Sequence, residues 1–175
     1  MQKKAEIMDE GAMRRAMTRI SFEILEKNHG EDLLLVGIRT RGAFLAQRLA
    51  EKLSENRGEP VEAIALDVSS LRDDIPSDRR AFPVLESAAR IDGRTVILVD
   101  DVLYTGRTVR AAIEAVSHMG RAARIQLAVL IDRGHRELPI RPDYIGKNLP
   151  TAQSERVHVM VRELDGVDGV VILQE

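Results

Sequence analysis

The chain has 175 residues, a net charge of −2, 31% charged side chains and no cysteine. Its size is that of one domain able to bury roughly 70% of the surface its unfolded form exposes. Without cysteine, disulfides and thiol chemistry are excluded, in keeping with a cytoplasmic protein; no apolar run approaches the ~20 residues of a membrane span, and near-neutral charge leaves any nucleic-acid binding to a local basic face.

The opening Met-Gln-Lys-Lys-Ala-Glu has no hydrophobic signal core behind it. Met13, Ala16, Met17, Ile20 and Ile24 recur at three- and four-residue spacing, predicting an amphipathic helix from about Asp9 to about Gly30. The unbroken apolar run Leu33–Ile38 reads as a strand buried on both faces. It breaks at Arg39-Thr-Arg-Gly42, and a second helix follows with Leu45, Ala46, Leu49 and Leu53 inward. Val61–Leu66 reads as a strand; Ser69–Arg94 is a long polar stretch without a clear period, the length at which loops become functional lids or disordered segments. Residues 96–99 form the next strand, Val109, Ala112, Ile113 and Val116 the buried face of a helix closed by Gly120, and Ile125–Ile131 another buried strand. Short strands are expected at 144–145, 157–161 and 170–173. This alternation predicts an α/β fold, a mainly parallel twisted sheet with helices on both faces. In such sheets ligands bind beyond the carboxyl ends of the strands, so the loops at 39–42 and 100–108 face a common cleft.

The most informative run is Val96-Ile-Leu-Val-Asp-Asp-Val-Leu-Tyr-Thr-Gly-Arg-Thr108. A buried strand delivers Asp100 and Asp101 to the sheet edge, and Thr105–Thr108 opens a helix, whose unpaired N–H groups suit a phosphate. The acidic pair suits ribose hydroxyls or hydrated Mg²⁺. An acidic pair at a strand end also occurs in receiver domains, but there it ends the first strand and no glycine-hydroxyl turn follows so closely. The pair could otherwise only cap a turn. Neither a Walker loop nor a dinucleotide fingerprint is present.

Aliphatic strand, two carboxylates, two aliphatics and Thr-Gly-x-Thr resemble the 5-phosphoribosyl-1-pyrophosphate (PRPP) motif of type I phosphoribosyltransferases. Asp9–Arg19, Gly37–Gly42, 96–110 and Leu130-Ile-Asp-Arg-Gly-His-Arg-Glu-Leu-Pro-Ile-Arg-Pro-Asp-Tyr-Ile-Gly-Lys-Asn-Leu-Pro-Thr151 resemble the pyrimidine operon attenuation regulators, which are also uracil phosphoribosyltransferases. The resemblance implies that fold as a single domain over 1–175, with a flexible loop around 69–94 and a small hood around 132–160 that also draws on the N-terminus. It implies PRPP, uracil, UMP and UTP as small-molecule partners, an mRNA leader hairpin as the macromolecular one, and a homodimer or homotetramer without membrane attachment.

On that reading Gly106, Thr105 and Thr108 take the 5′-phosphate, within a ligand shell spanning Val102, Leu103, Tyr104 and Arg107 as well. Asp100 and Asp101 take ribose hydroxyls or Mg²⁺, the cofactor, directly or through water. Arg41 with Thr40 takes the leaving pyrophosphate by bidentate guanidinium contacts. Arg72 joins Arg41 and the acidic pair among the catalytic groups, and Arg80 and Val157 complete the shell. Tyr144 stacks on uracil while Ile145 and Arg133 address its edge. The RNA face is Thr18, Arg19, Arg136, Arg141 and Lys147. Tyr104 stands where purine enzymes usually carry Asp, which argues against a purine-type transferase. Two departures stand out: Leu71 replaces the tyrosine of the family's Thr-Leu-Tyr-Arg-Asp-Asp, implying weaker catalysis that a restored tyrosine should raise, and Phe22 stands where histidine is expected.

Overall fold

Leu33–Ile38 is apolar at every position because both of its faces are covered, and all six residues are buried. Leu33 and Leu35 join one apolar cluster, Leu34, Val36 and Ile38 another on the opposite face. In the computed structural model, which describes residues 1–83 and 90–174, the elements in chain order are β1 (Gln2–Met8), α1 (Glu10–Lys27), β2 (Leu33–Ile38), α2 (Arg41–Arg57), β3 (Glu62–Leu66), β4 (Thr95–Leu103), α3 (Arg107–Met119), β5 (Arg124–Asp132), β6 (Tyr144–Asn148), β7 (Glu155–Met160), α4 (Arg162–Asp165) and β8 (Gly169–Gln174). The main sheet has the order β3-β2-β4-β5-β6, and every neighbouring pair is parallel.

Residues of α1 and α2 line the first cluster with Leu35, Ile97 and Val99, while Val109, Ala112 and Val116 of α3 line the second with Val36 and Leu98. This is the expected α/β architecture with helices on both faces. Asp9 caps α1, its carboxylate accepting from Ala12 N at 2.7 Å, and the helix buries Met13, Ala16, Met17, Ile20, Ser21 and Ile24. A fully buried isoleucine such as Ile20 contributes on the order of 2 kcal/mol by removal from water, and its truncation to alanine costs about 2–5 kcal/mol.

A second, antiparallel sheet of order β1-β8-β7 forms the hood. Its composition differs from the expected 132–160. Residues 144–148 instead add the fifth strand of the main sheet, and the hood is built from 2–8 and 155–174. The β1 strand escapes pattern reading because Lys3 and Glu6 pair with each other on the exposed side and Lys4 reaches Glu155 of β7, leaving Ile7 and Met8 to pack on the core.

The 69–94 segment is anchored where it is described. Leu71 is fully buried in the α3-side core, at the end of a 3₁₀ turn spanning Ser69–Leu71, and a second such turn spans Ser77–Arg79. Phe82 stacks on His118 of α3 with ring centroids 3.9 Å apart. The remainder of the expected flexible loop, 84–89, lies outside the described residues. Among the described residues no helix is long and apolar enough to cross a membrane.

Candidate active site

β4 runs further than its apolar residues predict, to Leu103, so Asp100 and Asp101 stand within its last turn of pleat rather than after it. Each carboxylate bends back on the chain: Asp100 Oδ1 accepts from Asp101 N at 2.9 Å and Asp101 Oδ1 from Val102 N at 2.8 Å. Burial, reinforced by the charge of Asp101, holds the Asp100 carboxyl well above the usual carboxylate range. Gly106 then turns the chain with φ of 95°, a conformation that favours glycine, and as the N-cap of α3 it offers no side chain to the first amides, of which Arg107 N donates to Thr105 Oγ1 at a long 3.4 Å. The carbonyl of Thr105 accepts from Glu137 N and Leu138 N, which clasps the 137–140 segment against this turn. A Cβ at Gly106 would lie 3.3 Å from Ile140. Positive helix-end potential and weakly engaged amides beside two carboxylates make one edge that can accept both an anion and hydroxyls.

The 39–42 loop meets the same edge. A Cβ on Gly42 would lie 2.5 Å from Val99 O and 3.2 Å from Asp100 Cα, so the start of α2 rests directly on the end of β4. Gly37 makes the turn possible, since a Cβ there would lie 2.5 Å from Gly42 O and from Ala43 Cα. Thr40 precedes the helix with no side-chain cap bond, and the Arg39–Thr40 peptide is cis. Arg41 Nη2 donates to both oxygens of Asp165 at 3.1 and 3.3 Å, while its Nε is buried without a partner among the described residues.

Arg72, exposed and paired with Asp74 at 2.9 Å, borders a cavity of about 460 Å³ together with Asp73, Arg107 and Thr108, so the loop's start adjoins the α3 turn. Arg107 pairs with Asp73 at 2.6 Å and Glu137 at 2.7 Å; Arg80 donates to Ile75 O. Asp73, which the sequence reading did not single out, also holds Arg110 at 2.8 Å. Arg107 beside Asp73 lowers that carboxyl's pKa.

At the base end, the exposed aromatic is Tyr104. It is 38% exposed, with the Arg133 guanidinium 4.1 Å from its ring centre and His135 edge-on at 5.9 Å. Arg133 is itself buried and donates to Thr151 Oγ1 and Ala152 O, and His135 meets Thr151 O. Arg133, His135 and Thr151 line an open cavity of about 430 Å³ with Asp132, Asn148 and Pro150. The stacking role expected of Tyr144 is corrected here. Tyr144 is 2% exposed, its hydroxyl donates to Gln126 Oε1 at 2.7 Å and accepts from Asn28 Nδ2 at 2.9 Å, and burial pushes its pKa up to about 12. Its ring lies in the core under α1, away from the cleft. Ile145 packs toward the α3-side core, in register with Val129 and so level with Asp100, while Val157 packs on the α1-side core from the hood.

Residues 4–163 match the family model described as phosphoribosyl transferase domain. The chain is 54% identical to the bifunctional protein PyrR of Streptococcus thermophilus strain LMD-9 over 172 residues, covering 98% of both. It is 54% identical to that of Brevibacillus brevis over 178 positions, covering 99% of both. The chain belongs to the bifunctional PyrR family of phosphoribosyltransferase-domain proteins. Among solved structures, a hypoxanthine phosphoribosyltransferase from Staphylococcus aureus superposes with a TM-score of 0.75 at 20% identity, over 99% of this chain and 93% of that one. A hypoxanthine-guanine phosphoribosyltransferase from Bacillus anthracis gives 0.73 at 16% identity, over 100% of each. At such identities the likeness is one of fold.

Within this PyrR-family chain, the residues expected to meet RNA divide into two groups. Arg141 and Lys147 are exposed and, among the described residues, have no ion-pair partner. Arg19 donates to Ile145 O at 3.1 Å, Gly146 O at 2.6 Å and Glu23 at 2.9 Å, which ties α1 to the β6 edge and brings the helix beside Lys147. Thr18 donates to Arg14 O on the same helix. Arg136 does not belong with them: its guanidinium donates to Ile140 O, Tyr104 O and Asp132, so it fastens the 132–140 loop instead of facing a partner.

Among the described residues no group of three His, Asp or Glu side chains converges to hold a metal unaided. Two carboxylates at the β4 edge do fit a hard cation that takes its remaining oxygens from water and a bound pyrophosphate, as Mg²⁺ does.

Proposed function

We propose that this chain transfers the phosphoribosyl group of PRPP to uracil, releasing UMP and pyrophosphate, and that with a uridine nucleotide bound it represses pyrimidine genes by binding the messenger RNA leader. The observation that carries the reading is full-length identity of 54% to bifunctional PyrR proteins, joined to the β4 edge where Asp100, Asp101 and the α3 turn converge. The chain would act as a cytoplasmic homo-oligomer of one domain per copy.

In this scheme the amides of 105–108 and the two threonine hydroxyls hold the 5′-phosphate. Asp101 and Asp100 hold the ribose hydroxyls, Asp100 donating when protonated. As uracil N1 bonds to C1 and gives up its proton to solvent, the C1–oxygen bond breaks with its electron pair leaving on pyrophosphate, and positive charge grows on the ribose ring in between. Arg41 and the first amides of α2 take the charge left on pyrophosphate, which is the largest contribution such a site makes. Asp100 and Asp101 would hold Mg²⁺ directly or through water, and when bound it would supply further charge neutralisation of the leaving group. Tyr104 with Arg133 gives the base a flat, cation-backed platform. Arg72 and Arg80 border the site from the loop.

Pyrophosphate release measured with PRPP, Mg²⁺ and each free base tests the reading: uracil turns over and hypoxanthine does not. Release with hypoxanthine alone would replace the pyrimidine assignment by a purine one. A regulator with weakened catalysis is the second reading, favoured by Leu71, whose buried side chain cannot reach the reacting atoms as a loop tyrosine would.

A further inference from the structure

The first turn of α2 contains no acidic residue and no side-chain cap, so its positive end receives no anion from its own sequence. The anion comes from 124 residues away: Asp165, at the end of the hood helix α4, sits on the Arg41 guanidinium. We propose that Asp165 is an internal occupant of the pyrophosphate seat, displaced from Arg41 when pyrophosphate binds, so that filling the site frees the end of α4. This rests on the assignment of Arg41 to the pyrophosphate group.

Four features of the contact carry it. The two Arg41–Asp165 distances, 3.1 and 3.3 Å, are long for a charge-assisted pair, which closes to roughly 2.7–2.9 Å when settled. Among the described residues Arg41 Nε has no partner and both bonds to Asp165 come from Nη2 alone, so the guanidinium keeps donors for a ligand with several oxygens. Asp165 does not become an orphan on leaving, because its Oδ2 also accepts from Val161 N at 2.8 Å. The hood itself stays attached through a stronger clasp on the same helix face: Arg48 donates to Glu163 at 2.5 and 2.9 Å and to Asp168 at 2.8 and 3.0 Å. The contact that faces the ligand edge is thus the weak one, and the contact about two turns further along α2, at Arg48, is the strong one.

Titration of magnesium pyrophosphate by calorimetry into four proteins tests this. Asp165→Asn keeps an acceptor for Val161 N but removes the competing charge, so pyrophosphate should bind on the order of 3- to 5-fold more tightly than to wild type. KM for PRPP should fall by a similar factor with kcat little changed, and the gain should shrink with added salt. Glu163→Gln, which weakens the Arg48 clasp alone, should leave pyrophosphate affinity unchanged. Hydrogen exchange at 162–166 should quicken on adding pyrophosphate to wild type and be already fast in Asp165→Asn. Should Asp165→Asn unfold, Asp165→Ser offers the same loss of charge with an acceptor retained. Equal or weaker binding by the charge-free variants, while Arg41→Ala abolishes binding, would show Asp165 to be only structural and overturn the proposal. Full-strength binding by Arg41→Ala would instead overturn the seat assignment beneath it.

Discussion

Replacing Tyr144 by Phe separates a core tyrosine from a base-stacking one. The hydroxyl makes two hydrogen bonds, to Gln126 Oε1 at 2.7 Å and from Asn28 Nδ2 at 2.9 Å, in a site that water does not reach. Each buried bond contributes about 1 kcal/mol net. Asn28 and Gln126 remain bonded to each other on both sides of their amides, so part of the loss is recovered and the expected cost is about 1–2 kcal/mol. In a chain of this size that lowers Tm by on the order of 3–8 °C at pH 7. Alkaline unfolding adds a second signature. The Tyr144 proton is held up to about pH 12 when folded and is released near pH 10 when unfolded, so the stability linked to it is complete below pH 10 and lost as pH rises toward 12. The gap between wild type and Tyr144→Phe should therefore narrow over that interval. Uracil KM should stay within about two-fold of wild type, because the ring that remains lies in the core. A ten-fold rise in uracil KM with unchanged Tm would refute the argument and return Tyr144 to the base site.

Asp100→Asn with Asp101→Asn should abolish PRPP turnover while Tm at pH 7 holds or rises. Asp100 is raised by burial, so its ionised form opposes folding as pH climbs through its folded value, and the amide removes that cost; wild-type turnover in the double variant would end the PRPP assignment. Leu71→Tyr, expected from sequence to raise turnover, should instead destabilise by about 1–3 kcal/mol, since Leu71 is fully buried and a larger side chain overpacks the core; denaturant melts and uracil kinetics decide between the two. Replacing Arg19, Arg141 and Lys147 together should weaken leader-RNA binding and reduce the slope of log affinity against log salt by roughly 0.7–0.9 per lost phosphate contact, which parallel binding at several salt concentrations would measure.

Strands buried on both faces were legible because continuous apolar runs have few other uses: Leu33–Ile38 is a strand with the same bounds in both readings. The acidic pair and the glycine turn were legible because their residue types are tied to backbone needs, positive φ at Gly106 and a sheet edge for two adjacent carboxylates. What failed was the facing of side chains. Tyr144 and Ile145 are adjacent on β6 and point to opposite faces, and sequence gives no register by which to choose the one near the cleft. Leu71 read as a loop residue because its neighbours Arg72, Asp73 and Asp74 are polar, yet one apolar side chain in such a run is often the anchor. Arg136 and Arg141 are alike in sequence, and only the carbonyls around the first distinguish a fastener from an exposed cation.

The same distinction organises the whole edge. Arg41, Arg107, Arg110, Arg133 and Arg136 surround the cleft, and each is already engaged by a carboxylate or carbonyl of the fold. Guanidiniums clustered there unpaired would repel one another; pairing them internally keeps the cleft assembled before any ligand arrives. The consequence is that an anionic ligand exchanges one partner for another instead of meeting a bare charge, so its affinity is set by the difference between two contacts. Where the internal partner belongs to a separate element, as Asp165 on α4 and Asp73 in the 69–83 segment do, the proposed exchange would also shift the element. On that proposal, binding at the β4 edge would be linked to the hood on one side and to the loop on the other, which is the coupling a protein needs if nucleotide is to change how it meets RNA.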